Sequence, residues 1–318
     1  MINYMFKLHN ILLLVFLSVF FGCKQEEPTI PNNNDPVLPT ISSIGDSNKI
    51  EIVTWNIEHF PKTNDSDDYV KAIMEELDAD IYVLQEIQSK SIFASMLGEM
   101  DDYNYFLLSS TTGLNFAIVY KMNFVKVKNI RNLFAIEKQY FAGRPPLLAK
   151  LEWQNNGITK ELTIIDLHLK CCGDNKIDVG NNDDEEYRRF VACQLLHNYA
   201  IDVLKDDNVI ILGDWNDAIQ EPDSTNVFKI FIDDSLNFKF ADMAIANGDK
   251  TNWSWQGWSN SYPEIHFDHI LINNNLFDEF ENSSVTDVLQ LDKYFENGST
   301  EYDNNVSDHR PVYFKFNP

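Results

Sequence analysis

Apolar residues along this chain gather into short runs of five to eight positions, each closed by polar or turn-forming residues. The runs over 50–55, 80–84, 115–120, 162–169, 208–212, 267–272 and 311–316 are rich in β-branched and aromatic side chains, so each predicts a strand. Between them the period changes. Val70, Ile73, Met74 and Leu77 recur at helical spacing behind Asp65, Asp67 and Asp68, and acidic residues suit the positive end of a helix dipole. A second helix is predicted over 184–204, with Tyr187, Val191 and Leu195 on its buried stripe and the acidic run 183–186 as a solvated first turn. Strands outnumber helices, and the helices are spread along the chain. That pattern predicts two stacked sheets with helices on the outer faces. No internal repeat is visible.

The N-terminus departs from this pattern. Lys7 is followed by an apolar run over 11–21, short for a bilayer span and of signal-peptide length, which ends at Gly22-Cys23. A small residue before such a cysteine resembles a bacterial lipoprotein signal. The resemblance implies lipidation of Cys23 and attachment to a membrane through several acyl chains. Lys24, Gln25, Glu26 and Glu27 follow and resemble a surface-export signal of such lipoproteins, which makes the outer membrane, and its outer surface, the expected location. From about residue 26 to 47 the chain is rich in Pro, Asn, Asp and Ser without apolar periodicity, as in a flexible tether. The expected organisation is a signal peptide over 1–22, a tether over 23–47 and one large α/β domain over 48–318. A monomer is the expected state.

Charge narrows the function. Asp and Glu number 49 against 25 Lys and Arg, a formal net charge of -24 at pH 7. This weighs against non-specific binding of nucleic acid through a basic face, so an anionic substrate must be received with the help of a cation. The 4 cysteines have no metal-ligand spacing, which excludes a CxxC zinc module, and they are too sparse for a disulfide scaffold. Cys171 and Cys172 are adjacent, and both a bridge from Cys172 to Cys193 and free thiols are compatible with the spacing.

The candidate chemistry lies where the apolar runs stop. The run 52–55 leads into Asn56 and Glu58, 81–85 into Glu86, 162–167 into His168, and 209–213 into Asp214 and Asn216, while Asp308 and His309 precede the last strand. A core would not choose these side chains, and residues at one set of strand ends can converge on a single cleft. Clustered carboxylate and amide oxygens suit a hard divalent cation, with Glu86 the best single ligand. Hydrolysis needs a base for water or a charge on the phosphoryl oxygens, and the imidazole of His309 can supply either near neutral pH. Asp268 is a charge inside the apolar run 267–271 and requires a partner, for which an imidazolium is the natural choice.

Six segments carry a family resemblance: Thr54-Trp55-Asn56-Ile57-Glu58, Leu84-Gln85-Glu86, Asp166-Leu167-His168-Leu169, Gly213-Asp214-Trp215-Asn216, Phe267-Asp268-His269-Ile270-Leu271 and Ser307-Asp308-His309-Arg310-Pro311-Val312. In this order they resemble the motifs of the endonuclease/exonuclease/phosphatase superfamily, over residues 49–316. The resemblance implies a four-layer α/β sandwich of the deoxyribonuclease I type, two stacked mixed β-sheets flanked by helices, and metal-assisted attack of water on a phosphoester. By motif match, Asn56 and Glu86 sit at the metal with Glu58 and Asp308 as further ligands, and Asp214 with Asn216 orients or activates the water. His168 contacts a phosphate oxygen, and His309, oriented by Asp268, stabilises the phosphorane-like transition state. Arg144, in Gly143-Arg144-Pro145-Pro146-Leu147, resembles a substrate-phosphate arginine. The implied cofactor is Mg²⁺ or Mn²⁺, with Ca²⁺ a candidate second ion.

One departure from the motifs is Asp166, which stands where an asparagine is common and places an extra negative charge near the phosphate. The expected activity is a divalent-metal phosphodiesterase that hydrolyses DNA or RNA outside the cytoplasm. One alternative is a phosphatase or phospholipase-type diesterase acting on inositol phosphates or sphingomyelin, although residues 262–270 lack the corresponding motif of inositol polyphosphate phosphatases. Another is a non-catalytic surface binding protein, which the filled motif positions disfavour. Trp253, Trp255 and Trp258 read as packing or as the lining of a cleft, and His59, His197, His266 and His269 match no role.

Overall fold

In the computed structural model, residues 40–257 and 263–318 are described. The expected signal peptide, Cys23 and residues 23–39 of the tether lie outside them, as does Trp258. In chain order the strands are β1 (Ile50–Phe60), β2 (Ile81–Ile87), β3 (Tyr103–Leu108), β4 (Asn115–Lys121), β5 (Val125–Asn132), β6 (Leu147–Asn155), β7 (Ile158–His168), β8 (Val209–Asp214), β9 (Phe238–Phe240), β10 (Asp268–Asn273), β11 (Val285–Val288) and β12 (Val312–Phe316). All seven predicted runs are strands. Of the five that sequence pattern misses, β3, β5, β9 and β11 are the four sheet edges. An edge is wetted on one side and so loses the continuous apolar run: β5 reads Val-Lys-Val-Lys-Asn-Ile-Arg-Asn.

The strands form two six-stranded sheets, ordered β11-β12-β1-β2-β4-β3 and β5-β6-β7-β8-β10-β9. In each sheet only the central pair is parallel, β1 with β2 and β7 with β8, and every other neighbour is antiparallel. The two sheets thus repeat one ladder pattern, a repeat of strand direction that no period in the sequence reveals.

Parallel neighbours require a crossover. Helix α1 (Ser66–Leu77) supplies it between β1 and β2 and buries Val70, Ile73, Met74 and Leu77 as predicted, beside α2 (Lys90–Leu97). Helix α3 (Glu185–Asp202) supplies it between β7 and β8. Its stripe differs from expectation: Arg189, Ala192, Cys193, Leu196 and Ala200 are buried, and Tyr187, Val191 and Leu195 are half-buried. The predicted solvated first turn is also only partly so. Asp184 caps the helix by accepting from the Tyr187 N–H at 2.7 Å, but Glu186 is buried and accepts from the Asn175 N–H at 2.6 Å. The buried stripe opens on a charged pair, Glu186 and Arg189, which a search for apolar periodicity passes over.

Side chains of β1 alternate between two cores. Ile50 and Ile52 point between the sheets, with Ile164, Leu212, Ile270 and Phe314, while Val53 and Trp55 face α1 and α2. Leu167, Ile211 and Leu196 form a third core under α3. Helix, sheet, sheet, helix is the four-layer sandwich that the sequence implied.

Glu51, also on β1, is buried with one carboxylate oxygen unpartnered. Burial, and then the nearby Asp80, push its pKa up from 4.5 to about 8. A carboxyl that keeps its proton when folded and releases it when unfolded makes stability fall as pH rises through this window. Glu51→Gln removes that slope and keeps the shape of the side chain. The variant should gain about 1–3 kcal/mol over wild type above pH ~8 and nothing below pH ~4.5, read from urea melts at the two pH values. An identical difference at both would show that this carboxyl does not titrate with folding.

Candidate active site

Because β1 and β2 are parallel, and likewise β7 and β8, their C-terminal ends deliver Asn56, Glu86, His168 and Asp214 to one edge of the sandwich. Asn56 joins the two sheets. Its Nδ2 donates to Glu86 Oε1 at 3.2 Å and to Asp214 Oδ2 at 3.1 Å, and its Oδ1 accepts from the Glu58 N–H at 2.9 Å. Glu86 also accepts from the His59 N–H at 3.0 Å. Glu58, His59, Glu86 and Asn216 all have positive φ, between 28° and 64°, a costly conformation for side-chain-bearing residues. In β1 and β2 it accompanies a shift of register between Asn56 and Phe60 and between Leu84 and Ile87, at the cleft.

His309 reaches the cleft from the loop before β12. Its Nδ1 lies 2.7 Å from Asp268 Oδ2, and its Nε2 lies 3.9 Å from Asp214 Oδ2 and 3.8 Å from Asp308 Oδ1. Burial opposes a charge on this ring, but Asp268, Asp308 and Asp214 outweigh it and raise the pKa well above the ordinary imidazole value. The partner expected for Asp268 is therefore present. His168 behaves in the opposite way: burial, then Arg144, hold its pKa well below the ordinary value. Its Nε2 lies 3.4 Å from Asp214 Oδ2 and 3.7 Å from Glu86 Oε1. Asn216 donates from its backbone N–H to Asp214 Oδ1 at 3.0 Å and from Nδ2 to the Leu169 carbonyl at 3.3 Å.

Glu58 and Asp308 pair with each other before any ligand. The Glu58 carboxylate accepts from Lys62 Nζ and from the Asp308 N–H, the latter at 2.9 Å. Arg144 is buried against the backbone, donating from Nε to the His168 carbonyl at 3.2 Å and from Nη2 to the Leu169 carbonyl at 2.7 Å. It braces the turn after His168, and its Nη1 is left without a hydrogen bond among the described residues. Asp166, whose sequence position implied an extra charge near the phosphate, lies in the interior. It is fully buried, accepts from Gln85 Nε2 at 2.8 Å, and burial raises its pKa well above the ordinary aspartate value, which disfavours the charged form.

Several site residues escape a search for polar strand ends because they act on backbone or from loops. Ser307 Oγ donates to the Asn56 carbonyl at 2.6 Å and accepts from the His309 N–H at 2.9 Å. Trp55 Nε1 and Tyr302 OH both donate to the His309 carbonyl, at 3.2 and 2.7 Å. Trp255 donates from Nε1 to Asp308 Oδ2 at 2.9 Å, which settles this tryptophan in the cleft wall. Trp253 instead donates to the Ile245 carbonyl at 3.1 Å. His266 and His269 lie buried beside Asp242, with His269 Nδ1 at 2.6 Å from its carboxylate and Nε2 at 2.9 Å from the Asp217 carbonyl. Of the two states the spacing allows, the free one is found: Cys171, Cys172 and Cys193 are free thiols.

The donor set tests the implied metal. Carboxylates of Glu58, Glu86, Asp214, Asp268 and Asp308 converge against Lys62, Arg144 and the His309 imidazolium. Burial first, and then repulsion from Asp268 and Glu86, push Asp214 up to about 7 despite His309. Oxygen ligands with an excess of negative charge fit a hard divalent cation, which would relieve that repulsion.

The sequence matches the model of the endonuclease/exonuclease/phosphatase family over residues 53–309. No curated protein matches it. Among solved structures, TDP2 of D. rerio in complex with a single-strand DNA product gives a TM-score of 0.62 at 16% identity, covering 85% of this chain and 99% of that one. The 3′ phosphatase NExo from Neisseria, bound to a product DNA hairpin, gives 0.59 at 17% identity, over 85% and 100%. A family protein from Bacteroides vulgatus gives 0.57 at 12% identity, over 84% and 98%. At these identities the structures establish the fold, and the family match carries the classification. The chain belongs to the endonuclease/exonuclease/phosphatase family and is a phosphoester hydrolase.

Proposed function

We propose that this chain is a divalent-metal-dependent phosphodiesterase that hydrolyses DNA or RNA outside the cytoplasm, held to the outer membrane as a monomer by a lipid on Cys23. The observation that carries the reading is the placement of Asp214. It lies between an amide and carboxylate pair, Asn56 and Glu86, and a buried imidazolium, His309 held by Asp268. A phosphoester needs such opposed functions, a cation position on one side and a proton-bearing ring on the other.

In this reading Glu86 and Asn56 hold Mg²⁺ or Mn²⁺, with Glu58 and Asp308 completing the ligands. When bound, the ion neutralises phosphoryl charge and polarises the phosphorus–oxygen bond. Asp214, with Asn216 fixed beside it, accepts a proton from the attacking water. Its raised pKa suits a base working near neutral pH. His309 donates from Nε2 to a phosphoryl oxygen, and Asp268 holds the ring in position through Nδ1. His168 contacts a second phosphate oxygen. Arg144 braces the His168 turn and offers Nη1 to the phosphate.

Nucleic acid as substrate is favoured by the DNA held in the TDP2 and NExo structures. The net charge of -24 predicts weak, salt-sensitive affinity for it. The test is hydrolysis of supercoiled DNA, RNA, a 3′-phosphorylated oligonucleotide, inositol phosphates and sphingomyelin by the full chain, with Mg²⁺, Mn²⁺ or EDTA. DNA or RNA should be cut only with metal, and Glu86→Ala should lower the rate by at least about 100-fold. Selective turnover of the 3′-phosphate, an inositol ester or sphingomyelin would replace nuclease by phosphatase or lipase activity. Cleavage undiminished by EDTA would remove the metal from the mechanism.

A further inference from the structure

The loop leaving β7 carries a feature that phosphoester hydrolysis does not use. Cys171 and Cys172 are consecutive and exposed, and their Sγ atoms lie 3.0 Å apart. The backbone around them is clamped. Arg189, buried on α3, donates from Nη1 to the Lys170 carbonyl at 2.6 Å and to the Cys172 carbonyl at 2.8 Å. Arg144 holds the Leu169 carbonyl on the other side. The two thiols are therefore presented together on a fixed turn.

The sulfurs are not equivalent. Lys170 Nζ lies 3.6 Å from Cys171 Sγ. The Cys172 thiol donates to Cys171 Sγ and so is placed as the second thiol of a pair. Cys193 is different in kind. It is enclosed on α3 within the core, where no small molecule reaches it.

We propose that Cys171 and Cys172 form a reversible redox site for small-molecule disulfides. Cys171 gives its proton to solvent and its sulfur attacks one sulfur of such a disulfide, forming a mixed disulfide and releasing one thiolate. Cys172 then gives its proton to solvent and attacks Cys171 Sγ, which expels the second thiolate. The chain loses two electrons and two protons as the vicinal bond forms, and the small disulfide gains them as two thiols. Adjacent Cα atoms stand about 3.8 Å apart across a trans peptide, below the roughly 4.4–6.8 Å usual for disulfides. Ring closure therefore strains the turn, and strained, exposed disulfides are the labile ones. The site is a reversible trap and not a permanent staple.

The test is peptide mass after treating the full chain with oxidised glutathione, alkylating with iodoacetamide and digesting. The peptide bearing Cys171 and Cys172 should be lighter by two hydrogens and carry no alkyl group, and dithiothreitol should restore both alkylation sites. Cys193 should be alkylated only after denaturation. In Cys172→Ser the ring cannot close, and Cys171 should keep glutathione as a mixed disulfide. Two alkyl groups on the wild-type peptide, or glutathione retained on it, would overturn the proposal.

Discussion

His309→Ala should lower kcat on a nucleic acid or a bis(p-nitrophenyl) ester by about 10²–10⁴-fold. The ring is the only buried cation facing both Asp214 and Asp308 among the described residues, and removing it leaves the transferring phosphoryl group without that proton. The loop itself should persist. Its anchors are the His309 backbone, which accepts from Trp55 and Tyr302 and donates to Ser307, none of which depends on the imidazole. The variant does strand the buried Asp268 carboxylate, at a cost of roughly 3–5 kcal/mol for a broken buried pair. His309→Gln keeps a donor within reach of Asp268 and separates the two effects. It should melt closer to wild type and show the same kinetic loss. Wild-type turnover in a folded His309→Gln would sink the role assigned to this ring.

Gly213→Ala should be among the most destabilising single changes in the domain. Gly213 has φ +138°, a conformation that side-chain-bearing residues rarely adopt, and an added Cβ would stand 2.0 Å from the Leu167 carbonyl oxygen. That oxygen is backbone in the paired strand, where Leu167 sits opposite Gly213, so no side chain can swing away. A loss of about 4 kcal/mol or more is expected, beyond the usual range for a point change. The same displacement would part His168 from Asp214, their neighbours in the ladder, and activity should fall in any fraction that folds. A urea melt superimposable on wild type would show that β7 and β8 do not approach this closely.

The site was legible in the sequence wherever a polar residue interrupts an apolar run, because burial makes such a residue expensive unless it has work to do. Asn56, Glu86, His168 and Asp214 are of this kind, and so is Asp268 with its partner His309. The roles of Ser307 and Tyr302 were not legible: they act through backbone or from irregular loops, and their residue types are ordinary for packing; Trp255 was legible only as one of two alternatives. The burial of Asp166 was hidden for a related reason. Sequence shows a carboxyl, whereas its charge is set by burial, which only the fold reveals. Strand edges and the polar stripe of α3 escaped because water and a buried ion pair there replace apolar periodicity.

The hydrogen bond from Asn56 to Asp214 crosses the seam between the sheets, so the candidate site belongs to neither half of the sandwich. What fixes the gap across that seam is the aliphatic filling between the sheets, Ile52, Ile164, Leu212 and Phe314 among it. Geometry at a reacting centre is unforgiving, and a misplacement of about 1 Å can cost around 10²-fold in rate. The interior of this enzyme is thus a spacer as much as a source of stability, and its calibration rests on side chains that no substrate ever reaches.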